Sequence, residues 1–330
     1  MPPESSEQPL GHLAAEHVRT PRYTWTQGRS WESSGATRFP DDQAAFETDL
    51  AELIRDWVLP GHAPPAGTLD ADDTVVTLGS CFARELRDYL AQAGLGAGNF
   101  WIPSGLNNTF AILDFVSWCV TGRETSRGYR YDRDDEGKID EWTPAVERER
   151  YVEGVREAGA FVFTLGLAEV WQDRETGAVF WRGVPKDVYR ADRHEFRLTG
   201  VDENEANIVE IVELVRSVNA TAPIVLTLSP VPLRATFRDI SCLTADSVSK
   251  SVLRVALDQA MGRNLPGVWY WPSFEIVRWV GAHVPWRAFG EDEGKPRDVS
   301  RRVVATIIDA FVDAFFTPEA VARLRERRAA

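Results

Sequence analysis

Short runs of β-branched and aromatic residues alternate along this chain with longer stretches that carry apolar residues at helical spacing. The runs at 74–78, 97–102, 160–165, 224–228 and 267–271 have the length and composition of buried strands. Helical spacing predicts helices over 82–93, 108–121, near 144–158, 205–218 and 247–261, with a long final helix from about Val299. Within 205–218, Ile208, Ile211, Val212 and Val215 fall on one face. Strands that alternate with helices imply a parallel sheet covered on both sides. The expected class is therefore α/β, a three-layer αβα sandwich with a mostly parallel sheet.

The flanks of this pattern are less regular. Residues 1–40 are polar, with Tyr23, Trp25 and Trp31 interspersed, and read as an arm held by its aromatics with a disordered tip. Asp42 to Val58 has helical spacing, with Asp41 or Asp42 as N-cap. The Pro- and Gly-rich segment 60–67 reads as a linker. The expected division is an N-terminal arm, helix and linker over 1–68 and an α/β domain over 69–330. Two insertions are expected, a polar one at 122–140 and one at 173–199 with a hairpin turn at Glu175-Thr176-Gly177.

Composition narrows the partners. With 44% hydrophobic and 26% charged residues the chain can build a sizeable core, while a net charge of -13 argues against nucleic acid or an anionic membrane as partner. Three cysteines, Cys81, Cys119 and Cys242, are too few and scattered for a disulfide framework or zinc site. A reducing compartment, the cytoplasm, is expected. The N-terminus lacks the basic and apolar regions of a signal peptide, and no stretch of about 18 apolar residues occurs. No cofactor is expected. There is neither a Gly-Lys-Ser/Thr phosphate loop nor a cluster of metal ligands, and Gly94-Leu95-Gly96-Ala97-Gly98 follows a helix where a dinucleotide loop would follow a strand.

Chemistry concentrates at 74–86, where a strand, a glycine, the pair Ser80-Cys81 and a helix follow one another. A side chain at that turn sits at the carboxyl edge of the sheet, beside the unpaired N–H groups and positive dipole end of the helix. Such a place suits a nucleophile. Gly79-Ser80-Cys81-Phe82-Ala83 also resembles the signature of the GSCFA family, which is similar to the SGNH (GDS-type) hydrolases. Segments 163–171, 228–233, 249–254 and 271–276 resemble further blocks of that family, so the resemblance spans roughly residues 70–315. It implies an SGNH-hydrolase- or flavodoxin-like sheet and an esterase or acyltransferase.

The resemblance places Ser80 at the aspartate position of the GDS motif and Cys81 at the nucleophile, and another register makes Ser80 the attacking group. A thiol at a helix N-terminus ionises near neutral pH, whereas a serine there still needs a base; Cys81 is favoured, although a free cysteine is commonly just a small buried residue. The oxyanion would meet the amides near Cys81 and Gly166. The residue that carries an asparagine in SGNH enzymes is Ala168 here, so Asn107 or Asn108 is the substitute, unless these cap the following helix. SGNH enzymes carry the catalytic histidine in the loop just before the final helix, and here that loop, 290–299, contains none. His194, oriented by Asp192 on the same face of an extended stretch, is the favoured base, and His283 the alternative. Glu169 orients a base or contacts substrate, or pairs with an arginine such as Arg84. Lys250, Ser229 and Glu275 lie in the resembling blocks as candidate substrate contacts. Two functions follow: a hydrolase or acyltransferase acting on a small-molecule or carbohydrate acyl substrate, or a fold that kept its pocket and binds a glycan, metabolite or partner protein. The oligomeric state stays open.

Overall fold

A computed structural model of the chain describes residues 23–26, 30–33, 36, 38–40, 42–92, 106–123, 148–292 and 295–329. Tyr23–Thr26 (β1) and Ser30–Ser33 (β2) pair antiparallel, with Trp25 opposite Trp31. Residues 1–22, 27–29, 34–35 and 37 of the expected arm, strand 97–102 and most of the polar insertion at 122–140 lie outside the described residues.

After Leu50–Leu53 (α1), the chain runs Val75–Gly79 (β3), Cys81–Gln92 (α2), Thr109–Thr121 (α3), Arg148–Glu157 (α4), Ala160–Leu165 (β4), Glu169–Asp173 (β5) and His194–Leu198 (β6). It continues with Val201–Val218 (α5), Ile224–Leu228 (β7), Cys242–Gly262 (α6), Val268–Trp271 (β8), Ser273–Glu275 (α7), Gly281–His283 (α8), Arg301–Phe315 (α9) and Pro318–Ala329 (α10). Strands β3, β4, β7 and β8 form a parallel sheet in the order β3-β4-β7-β8, and β5 pairs antiparallel with β6 in a separate two-stranded sheet.

Alternation along the strands sends successive side chains to opposite layers. Val76, Leu78, Phe161, Phe163, Ile224 and Leu226 pack on one face with Ile112 and Phe115 of α3, Ile208 of α5 and Leu253 of α6. Val75, Val162, Val225 and Trp271 face the other way, onto Leu86 and Leu90 of α2, Ile307 and Phe311 of α9, and Leu50 and Leu53 of α1. Each such side chain stabilises the fold by about 1.5–3 kcal/mol when fully buried. The result is the αβα sandwich that the alternation implied. Among the described residues no helix is long and apolar enough to cross a membrane.

Two expected helices are interrupted. Over 42–58, Asp42 caps a 3-10 turn by accepting from Ala44 N–H at 3.0 Å, and Asp49 caps α1 by accepting from Ala51 N–H at 2.8 Å, so a second cap breaks what spacing alone reads as one helix. The final helix stops at Phe315, where Phe316 turns extended and bridges to Leu69, and Pro318 starts α10. The turn expected at Glu175-Thr176-Gly177 is present: Gly177 has φ +74° and donates to Asp173 C=O at 2.8 Å. The returning chain makes only a bridge, Gln172 to Val179, and the full partner of β5 is β6.

The turn from β3 into α2 depends on one glycine. Gly79 has φ +123°, and a Cβ there would lie 2.1 Å from Thr164 C=O. Gly79→Ala should cost about 3 kcal/mol, from combined backbone strain and collision. Urea unfolding followed by tryptophan fluorescence checks this, and an unchanged midpoint would show that the turn relaxes without loss.

Candidate active site

Ser80 leaves β3 with its N–H donated to Thr164 C=O at 3.1 Å, and its own carbonyl accepts from Ala83 N–H at 2.9 Å, which starts α2. Its Oγ is buried and has no hydrogen-bond partner among the described residues. Cys81 opens α2, so its backbone belongs to the first helical turn, where N–H groups lack intrahelical acceptors; its side chain lies outside what the structure describes. The amphipathic spacing of α2 buries Ala83, Leu86 and Leu90 and leaves Arg84 and Arg87 toward solvent.

Ser80 lies in the lining of a cavity of about 530 Å³ at the carboxyl edge of the sheet. Asn107 and Asn108 divide the two roles that sequence left open. Asn108 Oδ1 accepts from Ala111 N–H at 2.8 Å and caps α3, while Asn107 lines the cavity without any such capping bond. Gly166 sits between Asn107 and Ser80: a Cβ there would come within 3.0 Å of Asn107 C=O and 3.5 Å of Ser80 Cβ. The amides of Gly166 and Leu167 both donate to Asn107 C=O, at 2.7 and 3.1 Å. The Gly166 N–H is thus used within the loop and does not point to an oxyanion, a correction to its expected role. The glycine's contribution is close approach.

Helix α6 holds this loop from below. Ser249 Oγ accepts from Ala168 N–H at 2.8 Å, and Lys250 Nζ donates to Gly166 C=O at 2.5 Å from a side chain only 2% exposed. Lys250 therefore braces the loop and does not line the cavity as a substrate contact. Ser229 is likewise internal, with its N–H on Leu165 C=O at 2.8 Å. Glu275 accepts from Arg254 Nε at 2.7 Å and from Tyr270 OH at 2.8 Å, away from the cavity lining. At Tyr270, burial pushes the phenol well above its ordinary range, and the adjacent Glu275 carboxylate adds to the shift. These three block residues serve packing and loop support.

The two expected bases are placed elsewhere. His194 is buried on β6, where its Nδ1 accepts from Arg190 N–H at 2.9 Å and its backbone N–H donates to Arg190 C=O at 2.7 Å. Its ring packs between Phe180 and Tyr189. In the β5–β6 register His194 opposes Asp173 at the end of the pair; it does not itself line the cavity, although Phe180, on which its ring packs, and Phe196, two residues along the strand, both do. Asp192 does not orient it: that carboxylate is exposed and bonded to Arg190 at 2.7 Å, whose guanidinium holds it below the ordinary range. His283 stacks on Phe46 at 4.6 Å between ring centroids, against the N-terminal segment. His62, the other described histidine, packs edge-on to Tyr270 at 5.6 Å, and burial lowers its proton affinity.

Glu169 does line the cavity and is 5% exposed. Its partners are Thr236 Oγ1 at 2.7 Å and Arg238 Nη1 at 3.3 Å, and the expected Arg84 is not among these bonds. Sequence reasoning missed the rest of the lining. Arg84 and Arg87 come from α2, Trp171 and Phe196 from the β5–β6 pair, and Phe237 from the loop after β7. Thr77 also lines it, 2% exposed and with its Oγ1 unpaired, next to the equally unpaired Oγ1 of Thr164 on the same sheet face. Among the described residues no group of three or more His, Cys, Asp or Glu side chains could hold a metal.

The sequence model of the GSCFA family matches residues 74–311, well over half of the chain. No curated protein matches it.

Two substitutions separate bracing from chemistry. Ser249→Ala leaves the buried Ala168 N–H without its acceptor and should cost about 1–3 kcal/mol in urea unfolding. His194→Ala should lower stability by about 1 kcal/mol yet leave the rate of iodoacetamide reaction at Cys81 unchanged. A several-fold slower reaction in His194→Ala would place that ring next to the thiol.

Proposed function

Because the chain belongs to the GSCFA family, we propose that it is an SGNH-like hydrolase or acyltransferase acting on an ester or acyl group of a small molecule or sugar, with Cys81 as nucleophile. The observation that carries this reading is the make-up of the cavity beside the α2 N-terminus. None of the three described histidines lines it, and the one carboxylate in its described lining, Glu169, is bonded to Thr236 and Arg238. A serine nucleophile needs a base within reach, whereas a thiolate is stabilised by a helix N-terminus and nearby cationic side chains. Ser80 then contributes an uncommitted hydroxyl beside the reacting atoms.

In this mechanism the Cys81 thiol loses its proton to solvent before substrate reacts. The thiolate attacks the carbonyl carbon, and the charge that develops on oxygen meets the first-turn amides of α2, with the Asn107 carboxamide as a further donor. The bond from carbonyl carbon to the leaving oxygen then breaks, and the departing alkoxide takes a proton from water. A thioester remains. Water, or an alcohol or amine acceptor, attacks it, loses its proton to solvent and releases the thiolate.

A second reading is that the cavity binds without turnover. It is favoured by the engagement of His62, His194 and His283 outside the cavity. The small acyl substrate belongs to the first reading and a glycan, metabolite or partner protein to the second; the cytoplasmic location expected from the sequence is part of the proposal in either case.

Mapping of iodoacetamide adducts by mass spectrometry near pH 7, with p-nitrophenyl acetate turnover of Cys81→Ala and Ser80→Ala, decides between these readings. Cys119 should stay unmodified, since burial pushes its thiol far up. Cys242, half-buried with its Sγ donating to Leu233 C=O at 3.6 Å, should react slowly. Rapid labelling confined to Cys81 and a loss of at least about 100-fold in turnover for Cys81→Ala is the expected result. Loss in Ser80→Ala alone would move the nucleophile by one residue, and an inert Cys81 without turnover would favour binding.

A further inference from the structure

Among the described residues, the cavity beside Ser80 is lined by more basic than acidic side chains, in a chain whose net charge is -13. Its described lining contains Arg84, Arg87 and Arg182 and one carboxylate, that of Glu169. That carboxylate already has Arg238 as counter-ion at 3.3 Å. Arg84 and Arg87 are three apart on α2 and so lie on one helical face. Their acidic contacts are sequence neighbours on the solvent side, Glu85 at 3.4 Å and Asp88 at 3.8 Å, exposed pairs that bind weakly.

The opposite wall is aromatic. Trp171, Phe196 and Phe237 form a cluster with ring centroids 5.0 to 5.3 Å apart, each pair tilted by 61° to 66°. Edge-to-face packing of this kind leaves one ring face uncovered, and Phe237 is 68% exposed at the rim. A large apolar ring held rigid and open beside a cavity suits stacking of a flat group. At the base lies Thr77, whose Oγ1 is buried and has no hydrogen-bond partner among the described residues.

We propose that this cavity selects acyl substrates whose ring-shaped portion, aromatic or sugar, carries a phosphate or carboxylate, with Arg84 and Arg87 holding the anion and Phe237 the ring. This rests on the proposed acyl chemistry for what is transferred, but the binding preference stands on the lining alone. Arginine forks match both oxyanions bidentately.

The test is binding of benzyl phosphate, phenylacetate and benzyl alcohol to the full chain, read by titration calorimetry and by quenching of tryptophan fluorescence. We expect the better anion to bind at least tenfold more tightly than benzyl alcohol. The double variant Arg84→Gln/Arg87→Gln should lose that preference while keeping the affinity for benzyl alcohol. Phe237→Ala should weaken all three ligands several-fold, with circular dichroism confirming that the variants fold. Whether phosphate or carboxylate binds more tightly identifies the anion, and either supports the proposal. Equal affinity of all three ligands, or an anion preference that survives the double variant, overturns it. Selective binding that persists in a protein with no ester turnover leaves this inference standing and removes the catalytic reading, so the two fail separately.

Discussion

The backbone contact between Gly79 and Thr164 is the constraint from which the site follows. At φ +123° and with no room for a Cβ, Gly79 lets the end of β3 lie against β4 more closely than any other residue allows. The chain then leaves the sheet with Ser80 N–H on Thr164 C=O and turns at once into α2. That exit delivers Ser80, and the first turn of α2, to the carboxyl edge. A wider turn would move the helix axis away from Gly166 and Asn107, which meet Ser80 only because position 166 also lacks a side chain.

Around this contact several charged and hydroxyl side chains are spent on backbone carbonyls and amides, whereas the hydroxyls of Ser80, Thr77 and Thr164 have no partner among the described residues. Lys250 and Ser249 hold the 166–168 loop. Asp246 accepts from Leu233 N–H at 2.9 Å and from Arg278 at 2.7 Å, Arg278 donates to Pro230 C=O at 2.9 Å, and Arg297 donates to Pro232 C=O at 2.8 Å. Loops at a sheet edge expose peptide groups that regular structure does not satisfy, and these side chains satisfy them. Residues of catalytic type inside conspicuous sequence blocks therefore serve a scaffold. They fix the geometry of the edge, and the reacting groups remain few.

How much was legible in the sequence follows from how local each signal is. The strands 160–165 and 224–228 are buried on both faces, so their apolar runs mark their ends well. The position of Ser80-Cys81 was legible for the same reason, since strand, glycine and helix lie within about a dozen residues. Over 42–58 helical spacing misleads, because it does not register a second cap at Asp49. Beyond Ser80, Asn107 and Glu169 the cavity wall was not legible: Arg84, Trp171, Phe196 and Phe237 come from segments far apart in sequence, and an exposed phenylalanine has no pattern of its own. His194 shows the reverse failure. Its Asp-Arg-His setting is attractive locally, but strand register puts it at the end of the β5–β6 pair, and Arg190 takes its Nδ1.

The charges of α2 run against what the helix alone would prefer. Its first turn contains no acidic residue, and Arg84 closes that turn with Arg87 one turn on. A cation in the first turn of a helix opposes the dipole by about 0.3–1 kcal/mol, which applies to Arg84, while Glu85 and Asp88 beside the two arginines offset part of their charge. The chain has acidic residues to spare, 50 against 37 basic ones, so composition does not force this arrangement. A local rule broken where the backbone is otherwise tightly specified points to function. Here the helix end and the two guanidinium groups add in one direction, toward stabilising negative charge. A thiolate at Cys81, a developing oxyanion and a substrate anion would all draw on that field. They can do so together only if they occupy different parts of it: the thiolate and oxyanion at the first-turn amides, the substrate anion further along the face that carries Arg84 and Arg87. Arg84 and Arg87 lie three and six residues beyond Cys81, about 4.5 and 9 Å along the axis, which leaves room for this division.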